Sequence, residues 1–256
     1  MKKFIKRIIR RLGYKVSRLV YRNDIWHLID FCLKEHKIKV LLDVGANEGQ
    51  FLNNLQQHCY YHFEASYSFE PIPDAYSKLI ANVKRFTNSK KVQVLNFALG
   101  NQTKEASINV TPNSVSSSLL PPSPDFIDHY KSGSNTKIYE IKVPVHRFDE
   151  IYHQLQPPLS LQKGLNEDRC FLKLDVQGFE RNVLDGFGSC LDNVYVALLE
   201  CSLVESYQGR PLIGDMLEYM SDLGFYVVGI FPGYFDEQKR QLCEVDVVFI
   251  RTRISQ

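Results

Sequence analysis

A short glycine-containing segment after an apolar run is the strongest chemical feature of the sequence. The run Val40-Leu41-Leu42-Asp43-Val44 leads into Gly45, and Gly49 follows four residues later. Glycine lets a backbone approach a ligand where any Cβ would collide. The pattern G-x-x-x-G is one glycine short of the fingerprint of dinucleotide-binding turns. It therefore favours a smaller adenosyl ligand over a pyrophosphate.

The residues of this turn are the first candidates for a binding site. Asp43 can hold a ligand ammonium group directly or through water. Glycine turns after strands also occur where the chain only changes direction and packs, without binding a ligand. The turn therefore indicates a ligand site only in combination with the features that follow it. The candidate cofactor-binding residues of this segment are Asp43, Gly45, Ala46, Asn47, Gly49 and Phe51.

Two further β-rich runs end in residues that suit a nucleoside. Glu70, in Ser68-Phe69-Glu70-Pro71, can accept hydrogen bonds from both ribose hydroxyls. Taken alone, Glu70 could instead cap the helix that follows; with the glycine turn, ribose binding is the better interpretation. The small and apolar residues Ala98 and Leu99 suit an adenine ring. We therefore add Glu70, Pro71, Ala98 and Leu99 to the candidate cofactor site.

Charged residues stand at the ends of two later β-rich runs. Lys173 and Asp175 lie two residues apart, so a strand would place them on one face, with Asp175 at the carboxyl edge of the sheet. Gly178 and Glu180 follow in a turn into a helix, and Glu200 ends the next run. Polar groups that converge at the edge of a parallel sheet are the expected geometry of a site.

The elements that position these residues alternate between strand and helix. This alternation predicts an α/β fold, a parallel sheet covered by helices on both faces. Only a turn-rich segment separates the last two strands, so we expect the last strand to pair antiparallel. The predicted strands are 38–44, 66–70, 92–98, 171–176, 194–200, 224–231 and 245–251, and the predicted helices include 49–57, 74–86 and 178–184.

The length fits one catalytic domain, which we place at 26–256. Within it, residues 101–170 contain an extra β-like pair and several prolines, and we interpret them as an insertion that shapes a substrate pocket. Residues 1–25 have an apolar stripe at helical spacing, and nine cations precede the first acid, Asp24. This predicts a basic amphipathic helix that either docks on the domain or lies on an anionic membrane surface.

Composition restricts the class of protein and partner. The chain is 44% hydrophobic and 23% charged, close to the globular average. Six scattered cysteines without C-x-x-C spacing predict reduced thiols in a cytoplasmic protein, with the N-terminal helix able to reach the inner membrane surface. The apolar runs are too short to cross a bilayer. Because the chain beyond the N-terminal helix is net acidic, nucleic acid is a poor partner.

Several motifs, in this order, resemble the FkbM family of methyltransferases over about residues 38–251. They are Leu42-Asp43-Val44-Gly45-Ala46-Asn47-Glu48-Gly49, Phe69-Glu70-Pro71, Ala98-Leu99-Gly100, Ser116-Ser117-Ser118-Leu119 and Leu172-Lys173-Leu174-Asp175-Val176-Gln177-Gly178-Phe179-Glu180. The resemblance implies a class I, Rossmann-like methyltransferase fold with a seven-stranded sheet, S-adenosylmethionine as cofactor, and O-methyl transfer, often to a sugar or polyketide hydroxyl. Gln177 stands where many relatives carry an acid, so we assign it no proton-transfer role.

Methyl transfer to a hydroxyl requires an acceptor oxygen held close to the methyl carbon, and a base assists it. Asp175 and Glu180 are the candidate bases, with Lys173 orienting a carboxylate or the acceptor; His146 is a weaker candidate. Lys173 and Glu180 could instead form an ion pair that stiffens the turn. The expected acceptor is a small molecule or glycan precursor with a hydroxyl group.

Three other functions compete with this one. A metal-assisted methyltransferase would need Asp175 and Glu200 to share a divalent cation, for which the sequence offers no third ligand. The missing third glycine disfavours a nicotinamide oxidoreductase. A non-catalytic adenosyl-binding or scaffold protein would keep the glycine turn but would not need carboxylates at the fourth and fifth strand ends.

Overall fold

The computed structural model of the chain describes residues 24–59, 63–86, 89–112, 114–124, 126–127, 138–156, 159 and 168–252. These residues form a seven-stranded sheet covered by helices, with a smaller three-stranded sheet beside it. The basic amphipathic helix predicted over residues 1–25 lies, except for its last two positions, outside the described residues.

Strands and helices alternate along most of the chain. The strands are β1 (Val40–Val44), β2 (Ala65–Phe69), β3 (Val92–Leu95), β4 (Ala98–Leu99), β5 (Lys104–Val110), β6 (Tyr139–His146), β7 (Cys170–Leu174), β8 (Val194–Ser202), β9 (Phe225–Pro232), β10 (Phe235–Asp236), β11 (Gln241–Leu242) and β12 (Glu244–Arg251). The α-helices are α1 (Ile25–Glu35), α2 (Gln50–His58), α3 (Pro73–Val83), α4 (Phe148–Ile151), α5 (Glu180–Phe187) and α6 (Ile213–Asp222).

The large sheet has the strand order β3-β2-β1-β7-β8-β12-β9. Its first five strands are parallel, whereas β12 runs antiparallel to both of its neighbours. The predicted α/β fold, with seven strands and an antiparallel last strand, is therefore confirmed. From β1 the chain builds outward to β3 and then returns to β7 on the other side of β1. The carboxyl ends of β1 and β7 thus lie at the switch point of the sheet.

The alternation of side chains along each strand divides the core into two layers. On one face, residues such as Leu42 pack with α4, α5 and α6. On the other face, Leu41 and Phe171 pack with α1, α2 and α3. By the same alternation Asp43 and Lys173 project from the second face, where each would be unfavourable without a partner.

The prediction of one strand over 92–98 is wrong. The strand of the large sheet ends at Leu95. At the next residue, the Asn96 side-chain amide donates to the carbonyls of Glu70, at 2.9 Å, and of Pro71, at 3.2 Å. The chain then turns, and β4 pairs with β6 in the smaller sheet. The extra β-like pair predicted between residues 101 and 170 is confirmed, since β5 and β6 pair antiparallel.

The amino end of α1 and the six cysteines have the local structure that their residue types favour. Asp24 caps α1 by accepting a hydrogen bond of 3.0 Å from the Trp26 backbone N–H. All six cysteines are buried free thiols. Among the described residues, no helix has both the length and the apolar character that a membrane span requires.

Candidate active site

A cavity of about 430 Å³ lies at the carboxyl ends of the parallel strands, within the size range of small-molecule sites. Most of the predicted site residues line it: Gly45, Ala46, Asn47, Phe51, Glu70, Pro71, Ala98, Leu99, Lys173 and Asp175. The predicted residues Asp43, Gly49 and Glu180 are not among the lining residues. The structure thus brings together residues from four separate parts of the sequence.

Both glycines of the turn are required by contacts within the protein itself. Gly45 has φ +75°, and a Cβ there would meet the Asp175 carbonyl oxygen at 1.9 Å. Gly49 has φ +91°, and its Cβ would lie 2.9 Å from Leu79 Cδ1. We expected these glycines to make room for a ligand. The collisions that they avoid are with neighbouring protein atoms. At Gly45 the reason is that β1 and β7 approach closely at their carboxyl ends, and at Gly49 it is that Leu79 of α3 lies against the turn.

Lys173 connects β7 with the glycine turn after β1. Its Nζ lies 3.3 Å from Asp43 Oδ1 and 3.5 Å from Asp175 Oδ2, and it donates a 2.8 Å hydrogen bond to the Gly45 carbonyl oxygen. Asp43 is fully buried. The ammonium group that Asp43 contacts in the structure is that of Lys173.

Burial and neighbouring charges act in opposite directions on this pair. Burial alone would lower the pKa of Lys173, but the carboxylates of Asp175 and Asp43 raise it above its ordinary value. Burial raises the pKa of Asp43, and the Lys173 ammonium opposes that rise. The ion pair therefore keeps a charged lysine inside the protein next to the turn.

Glu70 is held in one orientation by two backbone groups. Its Oε2 accepts from the Asn47 N–H and its Oε1 from the Ile72 N–H, both at 2.8 Å. The carboxylate is therefore tied to the start of α3, as the capping alternative predicted, and it also faces the cavity. Burial raises the pKa of Glu70 to about 7, although both N–H groups oppose the rise.

A loop within the segment 101–170 forms part of the cavity wall. Ser114, Ser117 and Leu119 line the cavity from the segment between β5 and β6. The Asn47 side-chain amide donates a 3.0 Å hydrogen bond to Ser114 Oγ, which connects this loop with the glycine turn. The insertion thus contributes to the pocket, in agreement with its expected position.

Gln177 donates hydrogen bonds to two carboxylates at the end of the cavity formed by β7 and β8. Its amide nitrogen donates to Asp175 Oδ1 at 3.0 Å and to Glu200 Oε2 at 2.5 Å. Gln177 has φ +53°, and its carbonyl accepts a 2.7 Å hydrogen bond from the Ser118 hydroxyl. A residue to which we assigned no proton-transfer role therefore positions the two carboxylates.

Glu180 lies beneath the turn that follows β7. Its carboxylate accepts hydrogen bonds from the backbone N–H groups of Val176, at 3.2 Å, and Gly178, at 3.1 Å. Lys173 forms its ion pairs with the two aspartates, so the alternative of a Lys173–Glu180 ion pair is wrong. Burial raises the pKa of Glu180. This geometry favours a role in supporting the turn over the predicted role as a base.

His146, the weaker candidate base, packs edge-on against Phe97 with ring centroids 4.8 Å apart. It is not among the residues that line the cavity. The position agrees with the more common structural use of a single histidine at the end of a strand.

Trp26 and Asp246 are cavity residues that were not among the predicted site residues. Trp26 lines the cavity from α1, with its ring centroid 5.6 Å from that of Phe51. Asp246 lines it from β12, directly opposite Glu200 in the antiparallel register. The signal for Asp246 was available, because it is an acid within the otherwise apolar run Val245-Asp246-Val247-Val248-Phe249.

A buried arginine balances part of the negative charge at this end. The Arg210 guanidinium lies 3.6 Å from Glu200 Oε2 and donates to Glu244 Oε1 at 2.7 Å. Burial, with the charges of Asp175 and Glu244, raises the pKa of Glu200 well above its ordinary value. In the described part of the chain, no group of three or more His, Cys, Asp or Glu side chains could hold a metal ion.

Comparisons with known proteins agree with this geometry. A family model described as the methyltransferase FkbM domain matches residues 43–227. A search of the curated proteins found no match. Among solved structures, a methyltransferase FkbM from Methylobacillus flagellatus KT is similar, with a TM-score of 0.50 and 16% identity over 82% of this chain and 43% of that chain. The chain thus spans less than half the length of that protein.

Two more distant structures also resemble the chain. They are a precorrin-6y C5,15-methyltransferase from Geobacter metallireducens GS-15, with a TM-score of 0.44 and 10% identity over 93% of this chain and 94% of that chain, and a Streptococcus pneumoniae protein in complex with S-adenosyl-L-methionine, with a TM-score of 0.43 and 12% identity over 90% and 74%. The family model covers most of the chain, including the glycine turn, β7 and most of the residues that line the cavity. The chain therefore belongs to the FkbM methyltransferase domain family.

Proposed function

We propose that this protein transfers a methyl group from S-adenosylmethionine to a hydroxyl group of a sugar or glycan precursor. The observation that carries the proposal is a single cavity that extends from Glu70, at the end of β2, to Asp175 and Glu200, at the ends of β7 and β8. One end has the features of a nucleoside site. The other is lined by carboxylates, which accept hydrogen bonds from hydroxyl groups.

The residues at the first end fit the cofactor. Each Glu70 oxygen accepts one backbone N–H, so each has acceptor capacity left for a ribose hydroxyl. Ala98, Leu99, Ile108 and Leu119 offer an apolar wall for the adenine ring. When bound, S-adenosylmethionine supplies an electrophilic methyl group on a sulfonium sulfur. In this assignment Gly45, Ala46, Asn47, Phe51 and Pro71 complete the cofactor site.

The residues at the second end would orient the acceptor. We assign Asp175 to the acceptor hydroxyl, because its carboxylate is partly exposed to the cavity and is held in place by Lys173 and Gln177. In this proposal Lys173 is a positioning residue that fixes both Asp175 and the glycine turn. Glu180 is a second positioning residue, since it holds the turn after β7 from below.

The basic segment at residues 1–22 supports a further part of the proposal, peripheral contact with an anionic membrane on its cytoplasmic side. Ile25 and Trp26 line the cavity, so this segment joins the domain beside the site. A protein held in this way would act close to lipid-linked glycan precursors. The acidic remainder of the chain makes nucleic acid a poor acceptor.

Mass spectrometry of glycans tests the proposed reaction. Cells that lack the protein should lose the mass of one methylene group per modified sugar relative to cells that contain it. Wild-type protein should restore that mass, whereas Asp175→Asn should restore it poorly. Unchanged glycans in all strains would contradict the sugar acceptor, and a lack of S-adenosylhomocysteine binding by calorimetry would contradict the enzyme class in this chain.

A further inference from the structure

We propose that Asp246 is a catalytic residue whose carboxylate accepts first the hydrogen bond and then the proton of the acceptor hydroxyl. This inference rests on the proposed function and identifies the base that the reaction uses. It assigns a role to a side chain on the antiparallel last strand, away from the motifs around the glycine turn and β7.

The sheet register places Asp246 at the acceptor end of the cavity. Asp246 on β12 lies opposite Glu200 on β8, and cross-strand partners project from the same face of a sheet. Both side chains line the cavity that also contains Asp175 and Gln177. The last strand runs antiparallel, so its first residues reach the edge at which β7 and β8 end.

The other carboxylates at this end already have partners. Asp175 is paired with Lys173 and accepts from Gln177. Glu200 accepts from Gln177 and lies 3.6 Å from Arg210. The hydrogen bonds and ion pairs to these neighbours leave each carboxylate fewer acceptor positions for a further hydrogen bond.

Asp246 differs from these acids in its surroundings. Within the part of the chain that the structure describes, its side chain makes no hydrogen bond and no ion pair, although it is only partly exposed. A largely buried carboxylate without a protein partner is unfavourable. A hydroxyl group of a ligand would supply the missing hydrogen bond.

The charges around Asp246 make it a suitable base. Burial raises its pKa to about 6, the charges of Asp175 and Glu244 add to the rise, and Lys173 opposes it. Glu200 lies opposite Asp246 on the neighbouring strand, and Arg210 forms ion pairs with both Glu200 and Glu244. A carboxylate of this pKa is ionised at neutral pH and is a stronger base than an ordinary aspartate.

The proposed step balances in atoms and charge. The acceptor oxygen forms a bond to the methyl carbon as the bond between that carbon and the sulfonium sulfur breaks. The electron pair of the broken carbon–sulfur bond stays on the sulfur, which becomes a neutral thioether. The hydroxyl proton passes to the Asp246 carboxylate, which afterwards releases it to water.

Sinefungin allows a test that needs no known acceptor. In this analogue of the cofactor an amine-bearing carbon replaces the methylated sulfur, so its ammonium group lies where the methyl group would be transferred. If Asp246 faces that point, wild-type protein should bind sinefungin about tenfold more tightly than S-adenosylhomocysteine at about pH 8. Asp246→Asn should lose this preference yet keep its affinity for S-adenosylhomocysteine, with a melting temperature no lower than that of wild-type protein.

Two further measurements separate Asp246 from its neighbours. In wild-type protein the preference for sinefungin should fall as the pH is lowered through about 6, the pKa of Asp246, because the carboxylate then loses its charge. Asp175→Asn should keep most of the preference, because Lys173 already compensates the Asp175 charge.

The outcomes are distinguishable by calorimetry. A preference that survives in Asp246→Asn, or that is lost only in Asp175→Asn, would overturn the assignment of Asp246 while leaving the proposed function intact. Wild-type protein that binds neither ligand would overturn the proposed function, and this inference with it.

Discussion

The Lys173 ammonium donates a 2.8 Å hydrogen bond to the carbonyl oxygen of Gly45, which joins the carboxyl end of β7 to the glycine turn that follows β1. The same ammonium forms ion pairs with Asp43, from below the turn, and with Asp175, from the edge of the cavity. One buried cation thus sets the relative position of the proposed cofactor turn and the proposed acceptor site.

Removing this cation should strongly destabilise the fold. Lys173→Met leaves the fully buried Asp43 without its counter-ion, so we expect a loss of about 3–5 kcal/mol in the free energy of unfolding. Lys78→Met is the matched control, because it removes an exposed ion pair with Glu48 and should cost far less stability. Urea denaturation of both variants measures the difference, and equal losses would contradict the prediction.

A double variant separates the lost pair from lost packing. Asp43→Asn combined with Lys173→Met removes both charges, so it should be more stable than Lys173→Met alone. If the double variant is the less stable of the two, the unpaired carboxylate is not the cause of the loss.

The collision at Gly45 predicts a large effect from a single methyl group. In Gly45→Ala the added Cβ would lie 1.9 Å from the Asp175 carbonyl oxygen, so β1 and β7 must move apart at the site. Gly209→Ala is the matched control: Gly209 has a similar φ of +73° but no atom within 4 Å of its added Cβ. We expect the control to lose about 1–2 kcal/mol from backbone conformation alone and Gly45→Ala to lose clearly more. Thermal melts should show the two variants differing in this order.

The pKa of Glu70 predicts how cofactor affinity depends on pH. Ribose hydroxyls donate best to an ionised carboxylate, and burial raises the pKa of Glu70 to about 7. Affinity for S-adenosylhomocysteine should therefore rise as the pH increases through about 7. Glu70→Gln should bind about 1–3 kcal/mol more weakly and lose this part of the pH dependence. Calorimetry over this range checks both, with Glu48→Gln as the exposed control.

The raised pKa of Glu70 should also make the stability of the fold depend on pH. Its folded-state pKa of about 7 lies above its ordinary value of 4.5, so the folded protein binds the proton more tightly than the unfolded chain does. The stability that this group contributes is present below about pH 4.5 and is lost as the pH rises through about 7. Relative to Glu70→Gln, wild-type protein without ligand should lose stability over this interval; a gain would contradict the assigned direction.

The N-terminal segment predicts reversible binding to anionic vesicles. Full-length protein should sediment with phosphatidylserine liposomes at low salt and be released as salt shortens the screening length to about 8 Å. Deletion of residues 1–22 should abolish sedimentation but keep the affinity for S-adenosylhomocysteine, because the glycine turn lies beyond the cut. Full-length protein that stays in the supernatant at low salt would show that membrane contact is not a property of this segment.

The sequence by itself determined the fold class, and most of the site residues predicted from it do line the cavity. Alternating strand and helix periods predicted the parallel sheet, and the short link before residue 245 predicted the antiparallel last strand, because a parallel crossover needs more residues. Gly45, Glu70 and Asp175 each end a predicted strand, and the carboxyl ends of parallel strands share one edge. Local pattern was therefore enough to bring these residues to one site.

Only the tertiary structure decided what each charged side chain contacts. Asp43, Lys173 and Glu180 were predicted to serve the ligand or the reaction, yet their main partners are protein groups. Asp246 was overlooked because its partner strand lies 46 residues earlier in the chain, and the register that sets it opposite Glu200 is a long-range pairing. A strand's period tells which face a residue occupies, but the charges that it meets on that face come from other strands and depend on their order and register.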